Sequence, residues 1–199
     1  MRIRTGRLVP FALALLVVIA PACIFDTRDG APPADDSGDI VVLDSPEKVF
    51  VAIERSLTNQ KDANYERATS ENFVFSPTPD DSLDQNFEGT QVYANWTKTV
   101  ELNVLELLLS DAQTTQVTFE VGAPIINKTT FVRFPVDYTL RVVSVSSPGD
   151  TVDYKGLAEF DVRRENGIWR MTFWNETSTV EGASTWGFLK GILRLRLNP

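Results

Sequence analysis

Apolar residues first recur at helical spacing and then, after about residue 112, at every second position. Val49, Phe50, Ile53 and Leu57 mark one face of a helix. Ser45-Pro46-Glu47 in front of them is a helix start, because Ser45 offers a cap to free N–H groups and Pro46 suits the first helical position. Asn59 can end that helix. A short second helix over 63–69 would bury Tyr65 and Ala68, and Phe73 and Phe75 alternate with polar neighbours in a strand over 72–76. Residues 77–90, with two prolines and three aspartates, read as a loop. Over 95–109, Trp96, Val100, Val104, Leu107 and Leu108 predict a third helix. Leu102, Leu105 and Leu109 widen its apolar surface so far that it must be buried on most sides.

The second half is a succession of period-2 strands. Val117, Phe119 and Val121 alternate with polar residues, as do Val132, Phe134, Val136, Tyr138, Leu140 and Val142. Ser147-Pro148-Gly149-Asp150 is a turn. Val152, Tyr154, Ala158, Phe160 and Val162 continue the pattern, and Glu165-Asn166-Gly167 turns the chain into a last strand with Trp169, Met171 and Phe173 on one face. Residues 185–197 predict a partial helix, basic and apolar. Helices followed by an antiparallel meander give an α+β domain with its helices on one sheet face.

Composition removes much of the enzymatic repertoire. The 199 residues contain no histidine and one cysteine, which excludes imidazole-dependent hydrolysis, His-ligated zinc, internal disulfides and thiolate clusters. There is no Gly-rich phosphate loop, metal-ligand spacing or nucleophile elbow, so neither a cofactor nor a metal is expected.

The N-terminus speaks to location. Arg2, Arg4 and Arg7 precede an apolar run from Phe11 to Ala20 that is too short to span a bilayer and reads as an export signal. Ala20-Pro21-Ala22-Cys23 resembles the lipobox of bacterial lipoproteins. That implies a signal over residues 1–22 and Cys23 as the lipidated first residue of the mature chain; ordinary cleavage near Ala22 is the alternative. Residues 23–43 then form a flexible acidic tether and 44–199 the folded domain. Ile24 after the cysteine points to an outer membrane facing the periplasm in a double-membraned cell. Loss of the three leader arginines takes the net charge from −8 to −11, which disfavours nucleic acid. The lipid would provide the contact with the membrane.

The element order, Glu71-Asn72-Phe73-Val74-Phe75 and Gly167-Ile168-Trp169-Arg170 resemble the nuclear transport factor 2-like (SnoaL-like) superfamily over residues 44–194. Phe173-Trp174-Asn175-Glu176 and the segment from Ser184 to Lys190 resemble lipoproteins built on that fold. The resemblance implies a cystatin-like cone, with a strongly bent antiparallel sheet wrapped around three N-terminal helices. It also implies either a binding or docking module or an isomerase, cyclase or dehydratase using a desolvated carboxyl group.

Strand parity tests the enzyme reading. Asp137, Asp153, Glu159 and Asp161 fall on the polar parity, where Arg133, Arg141 and Arg163 are cross-strand partners. Glu54, Glu66 and Glu101 are helical candidates whose ordinary placement is exposed. Tyr65, Trp96, Phe119, Phe134, Tyr138, Tyr154, Trp169 and Phe173 are candidates for lining a pocket, although an ordinary core has the same composition. Trp174, on the opposite parity from Phe173, is expected on the outer face. There it would form an apolar partner or homodimer surface with Trp186 and Phe188, unless the C-terminal segment folds back over it. The expectation is an envelope lipoprotein whose non-catalytic domain holds a small apolar ligand or docks an envelope protein.

Overall fold

A computed structural model describes residues 40–146 and 150–197. The expected export signal, Cys23, the expected tether as far as residue 39 and most of the 147–150 turn lie outside the described residues. The elements are α1 (Lys48–Thr58), α2 (Ala63–Ala68), β1 (Thr69–Ser76), α3 (Pro79–Ser82), α4 (Lys98–Asp111), β2 (Ala112–Val121), β3 (Ile126–Lys128), β4 (Phe131–Ser144), β5 (Thr151–Glu165), β6 (Ile168–Thr179) and α5 (Trp186–Leu197). The 77–90 stretch, read as a loop, contains α3 because Thr78 accepts the Asp81 N–H at 3.1 Å and Pro79 occupies the first turn. Val41 and Leu43, assigned to the tether, belong to the core at 6% and 1% exposure. The Val41 N–H donates to Asn64 Oδ1 at 2.9 Å, and the Leu43 carbonyl accepts the Trp169 N–H at 2.9 Å.

The strand order is β1-β6-β5-β4-β2, with β3 also beside β4, and the sheet curves over the helices. It is mixed, not wholly antiparallel, because β1 pairs parallel with β6. The long excursion from β1 through α4 and the meander is the crossover that a parallel pair requires. Strand β4 keeps strict alternation, burying Val132, Phe134, Val136, Tyr138 and Leu140. On the other parity, Arg133 lies opposite Asp161 and Arg141 opposite Asp153, and both pairs close in two-bond forks at 2.6 to 3.1 Å. Arg163 instead lies over the Phe131 ring. Asn166 (φ 51°) and Gly167 (φ 88°) supply the two positive φ angles of the tight β5–β6 turn. Phe50 of α1 packs edge-on against Phe119, Phe134 and Phe160, with centroids 5.4 to 5.6 Å apart.

Strand β6 breaks the expected alternation. Met171 lies opposite Val162 but Phe173 lies opposite Asp161; Glu176 lies opposite Ala158 but Ser178 opposite Leu157. Thr172 and Thr177 are therefore the extra residues of two bulges. Each hydroxyl donates to the facing β5 carbonyl, Thr172 to Asp161 at 3.2 Å and Thr177 to Leu157 at 3.1 Å. A bulge inverts the parity of the residues beyond it. Trp169 and Met171 face inward before the first bulge, Trp174 and Glu176 after it.

Trp174 is thus fully buried and Trp186 is 2% exposed, with their rings 4.7 Å apart. The outer surface expected from them does not exist; α5 folds back and covers Trp174. Phe188 is half-buried against Phe87. Phe173, expected inside, is half-buried and lines a groove with Val74, Arg133 and Asp161. Trp174→Ala should therefore cost about 3–5 kcal/mol and Phe173→Ala under about 1 kcal/mol. Urea denaturation of the two variants checks this order, which simple alternation would reverse.

Candidate functional site

Helix α5 enters the mouth of the cone, and the first N–H groups of the helix, which have no intrahelical partners, dictate how it docks. The Trp186 N–H donates to the Tyr138 hydroxyl at 3.0 Å. The Gly187 N–H donates to both Glu176 oxygens at 2.9 and 3.1 Å, and the Phe188 N–H donates to Thr185 Oγ1 at 2.9 Å. The Thr185 hydroxyl in turn donates to Asp81 at 2.6 Å, as does the Thr78 hydroxyl at 2.8 Å. Gly187 and Gly191, one turn apart, allow the close approach. A methyl group at 187 would overlap the Glu176 carboxylate, and one at 191 would overlap Phe87 and Tyr93. Glu176 caps the positive end of the helix, a favourable place for a carboxylate.

Deeper inside, α5 delivers Lys190 to Glu101 of α4. Their side chains are 1% and 2% exposed, and Lys190 Nζ lies 2.8 Å from Glu101 Oε1. Glu101 has two further donors: the Tyr65 hydroxyl of α2 on Oε1 and Trp96 Nε1 on Oε2 at 2.7 Å. Nζ also lies 3.5 Å from the centroid of the Trp174 ring and 4.1 Å from that of Phe75. Burial pulls the Lys190 pKa below its ordinary value, while Glu101 and Glu176 push it back up. Burial, followed by the Glu101 charge, raises that of Tyr65.

A second carboxyl–phenol pair lies beside the first, with the Tyr138 hydroxyl donating to Glu176 Oε1 at 2.6 Å. Burial pushes the Glu176 pKa up to about 7. The Asp81 charge adds to the rise, and Tyr138, Lys190 and the Gly187 N–H oppose it. Tyr138 is raised as well, by burial and then by the Glu176 charge.

These groups leave almost no space. The cavity lined by Tyr65, Glu101, Leu108, Trp186 and Lys190 has a volume of about 10 Å³, at the lower limit for one water molecule. Of the pocket candidates, Tyr65, Trp96 and Tyr138 meet at the buried clusters. Phe134 and Trp169 are core residues, Phe119 and Tyr154 are half-buried, and Phe173 lies outside. Parity reasoning missed Glu176, and the habitual exposure of glutamate hid Glu101. Lys190 went unremarked, although it stands in the apolar run from Trp186 to Leu193, where an exposed face would be narrow. Larger clefts lie elsewhere: one of about 270 Å³ whose lining includes Thr118, Asp137, Tyr138 and Lys155, one of about 460 Å³ lined by Phe73, Phe75, Tyr93 and Trp96 among others, and the Phe173 groove of about 580 Å³. Among the described residues no acidic cluster is arranged to hold a metal ion.

Glu176 gives the fold a signed pH dependence. Its pKa is about 7 when folded, against an ordinary 4.5, so the folded chain binds more protons between those values. The stabilisation from neutral Glu176 is complete below pH 4.5 and is lost as the pH rises through 7. Glu176→Gln keeps an acceptor but cannot ionise. Wild type should lose on the order of 3 kcal/mol relative to the variant across that window. Urea titrations of both proteins at a series of pH values check the slope; a difference that does not vary with pH would refute this assignment.

No family profile matches the sequence, and no curated protein is similar to it. In three dimensions the domain is similar to a candidate scytalone dehydratase from Novosphingobium aromaticivorans DSM 12444, with a TM-score of 0.53 and 14% identity over 70% of this chain and 89% of that one. A conserved protein from Planctomyces limnophilus DSM 3776 gives a TM-score of 0.54 and 14% identity over 67% of this chain and 94% of that one. A Kribbella flavida protein gives 0.52 and 9% over 72% and 93%. At such identities the likeness is one of fold, not of activity. The domain has the SnoaL-like, nuclear transport factor 2-like cone fold.

Proposed function

We propose that the chain is a bacterial envelope lipoprotein, anchored through Cys23, whose cone is a sealed, non-catalytic scaffold that docks a partner through its exterior. The filled cone carries this reading. A small-molecule site needs roughly 300–1,000 Å³, and the cavity enclosed between Glu101, Lys190 and Trp186 holds about 10 Å³. Each buried carboxylate among the described residues is already held by the chain's own groups: Glu101 by Tyr65, Trp96 and Lys190, Glu176 by Tyr138 and Gly187, Asp81 by Thr78 and Thr185, and Asp161 by Arg133. A base occupied in this way reaches a substrate proton only if α5 or its neighbours move. Contact with other molecules then falls to the outer face, where Val74 and Phe173 flank the Arg133–Asp161 pair.

A second reading rests on a different observation. Glu176 with Tyr138 and Glu101 with Tyr65 are carboxyl–phenol pairs of the kind an isomerase or dehydratase on this fold would use, and a candidate scytalone dehydratase shares the fold. For such an enzyme α5 would have to leave the cone. Tryptophan fluorescence separates the two readings, because Trp96, Trp174 and Trp186 surround the interior. Neutral apolar and aromatic ligands should leave the emission of the full chain unchanged under the sealed reading. Saturable quenching by any of them would favour the enzyme or carrier. Anchoring is tested separately: Cys23→Ser should abolish incorporation of labelled fatty acid and move the chain from the membrane to the soluble fraction. If labelling is absent from the unaltered chain, the lipoprotein assignment fails.

A further inference from the structure

Lys190 exceeds what a sealed cone requires. Methionine would fill a similar volume without the desolvation of an ammonium group, and replacing buried ion pairs by apolar residues is often neutral or stabilising. The surroundings of Nζ are specific. It lies 3.5 Å from the Trp174 centroid, 4.1 Å from Phe75 and 5.4 Å from Trp186, with Glu101 Oε1 at 2.8 Å. The Glu101 carboxylate is the acceptor it meets. Its charge is balanced by ring faces and one carboxylate, the arrangement that holds organic ammonium ions.

Most of this enclosure does not depend on the lysine. Phe75 comes from β1, Trp174 from β6 and Glu101 from α4. Tyr65 and Trp96 fix the Glu101 carboxylate from two sides without help from α5. Trp174 is held between Phe160 at 4.7 Å and Phe75 at 5.9 Å. Only Trp186 shares an element with Lys190. We propose that the cone contains an aromatic cage for a small alkylammonium cation, and that this chain fills the cage with its own Lys190 as a built-in ligand. The inference goes beyond the docking assignment and does not depend on whether Cys23 is lipidated.

Truncating the lysine tests it. Lys190→Ala removes a propylammonium fragment and leaves the cage, so propylammonium is the matching probe and 1-propanol its neutral counterpart. Thermal melts of the full-length variant are run with each probe, and with sodium chloride at matched ionic strength. Propylammonium well above its dissociation constant should raise the variant's Tm by about 3 °C or more, with no comparable rise from propanol or salt and none in the unaltered chain. In the Glu101→Gln/Lys190→Ala double variant the response should largely disappear. If Lys190→Ala does not fold unaided, it is refolded from urea with each probe, and recovery with propylammonium alone is the expected result. Three outcomes overturn the proposal: no response, an equal response to propanol (an apolar void that any chain fills), or an equal response from the unaltered chain.

Discussion

The buried contact between Lys190 and Glu101 is the constraint on which the interior depends. Taking both charges out of water is unfavourable, and the pair persists because each has more than one partner. Glu101 accepts from Tyr65 and Trp96 as well as meeting the ammonium, and the ammonium faces the Trp174 and Phe75 rings. Such a pair is weak evidence for net stability but strong evidence for register, because either charge left alone costs about 3–5 kcal/mol. A one-residue slip of α5 would turn Lys190 about 100° around the helix and strand Glu101. The same slip would move Gly187 and Gly191 off Glu176 and Phe87, where no side chain fits. Charge and sterics select one seating for α5, and that seating fills the cone.

The two β6 bulges make this possible from the sheet side. Had β6 kept strict alternation from Trp169, Phe173 would face the helices and Trp174 and Glu176 the solvent. Thr172 absorbs one residue, so Trp174 packs against Phe160 and Glu176 reaches the start of α5. Thr177 absorbs another after that short inverted stretch. Trp174, a wall of the ammonium cage, and Glu176, the carboxylate that caps α5, therefore have one origin, the extra residue Thr172 in a single strand.

How much of this was legible in the sequence depends on which signals are local. The β4 alternation, the Asn166-Gly167 turn and the shared polar face of Arg141 and Asp153 were readable because each depends on neighbours a few residues away or directly across a regular ladder. The bulges were not. Threonine is an ordinary strand residue, and nothing in Met171-Thr172-Phe173 distinguishes an extra residue from an alternating one until β5 is laid beside it. Glu101 was misplaced for a different reason. Glutamate is seldom buried alone, and its partners lie 36 residues upstream at Tyr65 and far downstream at Lys190. One clue was available: a helix apolar on nearly every side leaves a mid-helix glutamate little solvent to face.

The interior also separates chemical equipment from catalytic competence. Two carboxylates, each bonded to a phenol, and an ammonium are buried in one interior, and burial has moved the Glu176 pKa to about 7, where a general base is useful. Perturbed groups in a cleft would point to an active site, but burial that perturbs a pKa by excluding water can exclude substrate as well. In this cone α5 covers Glu176 and supplies partners to both groups of the pair, the Gly187 N–H to Glu176 and the Trp186 N–H to the Tyr138 hydroxyl. Removing α5 would admit a ligand and, in the same step, return water to the carboxylate and relax its pKa. On the proposed reading the perturbed groups are a consequence of how the chain closes its own cone, and volume, not functional-group inventory, is what separates scaffold from enzyme.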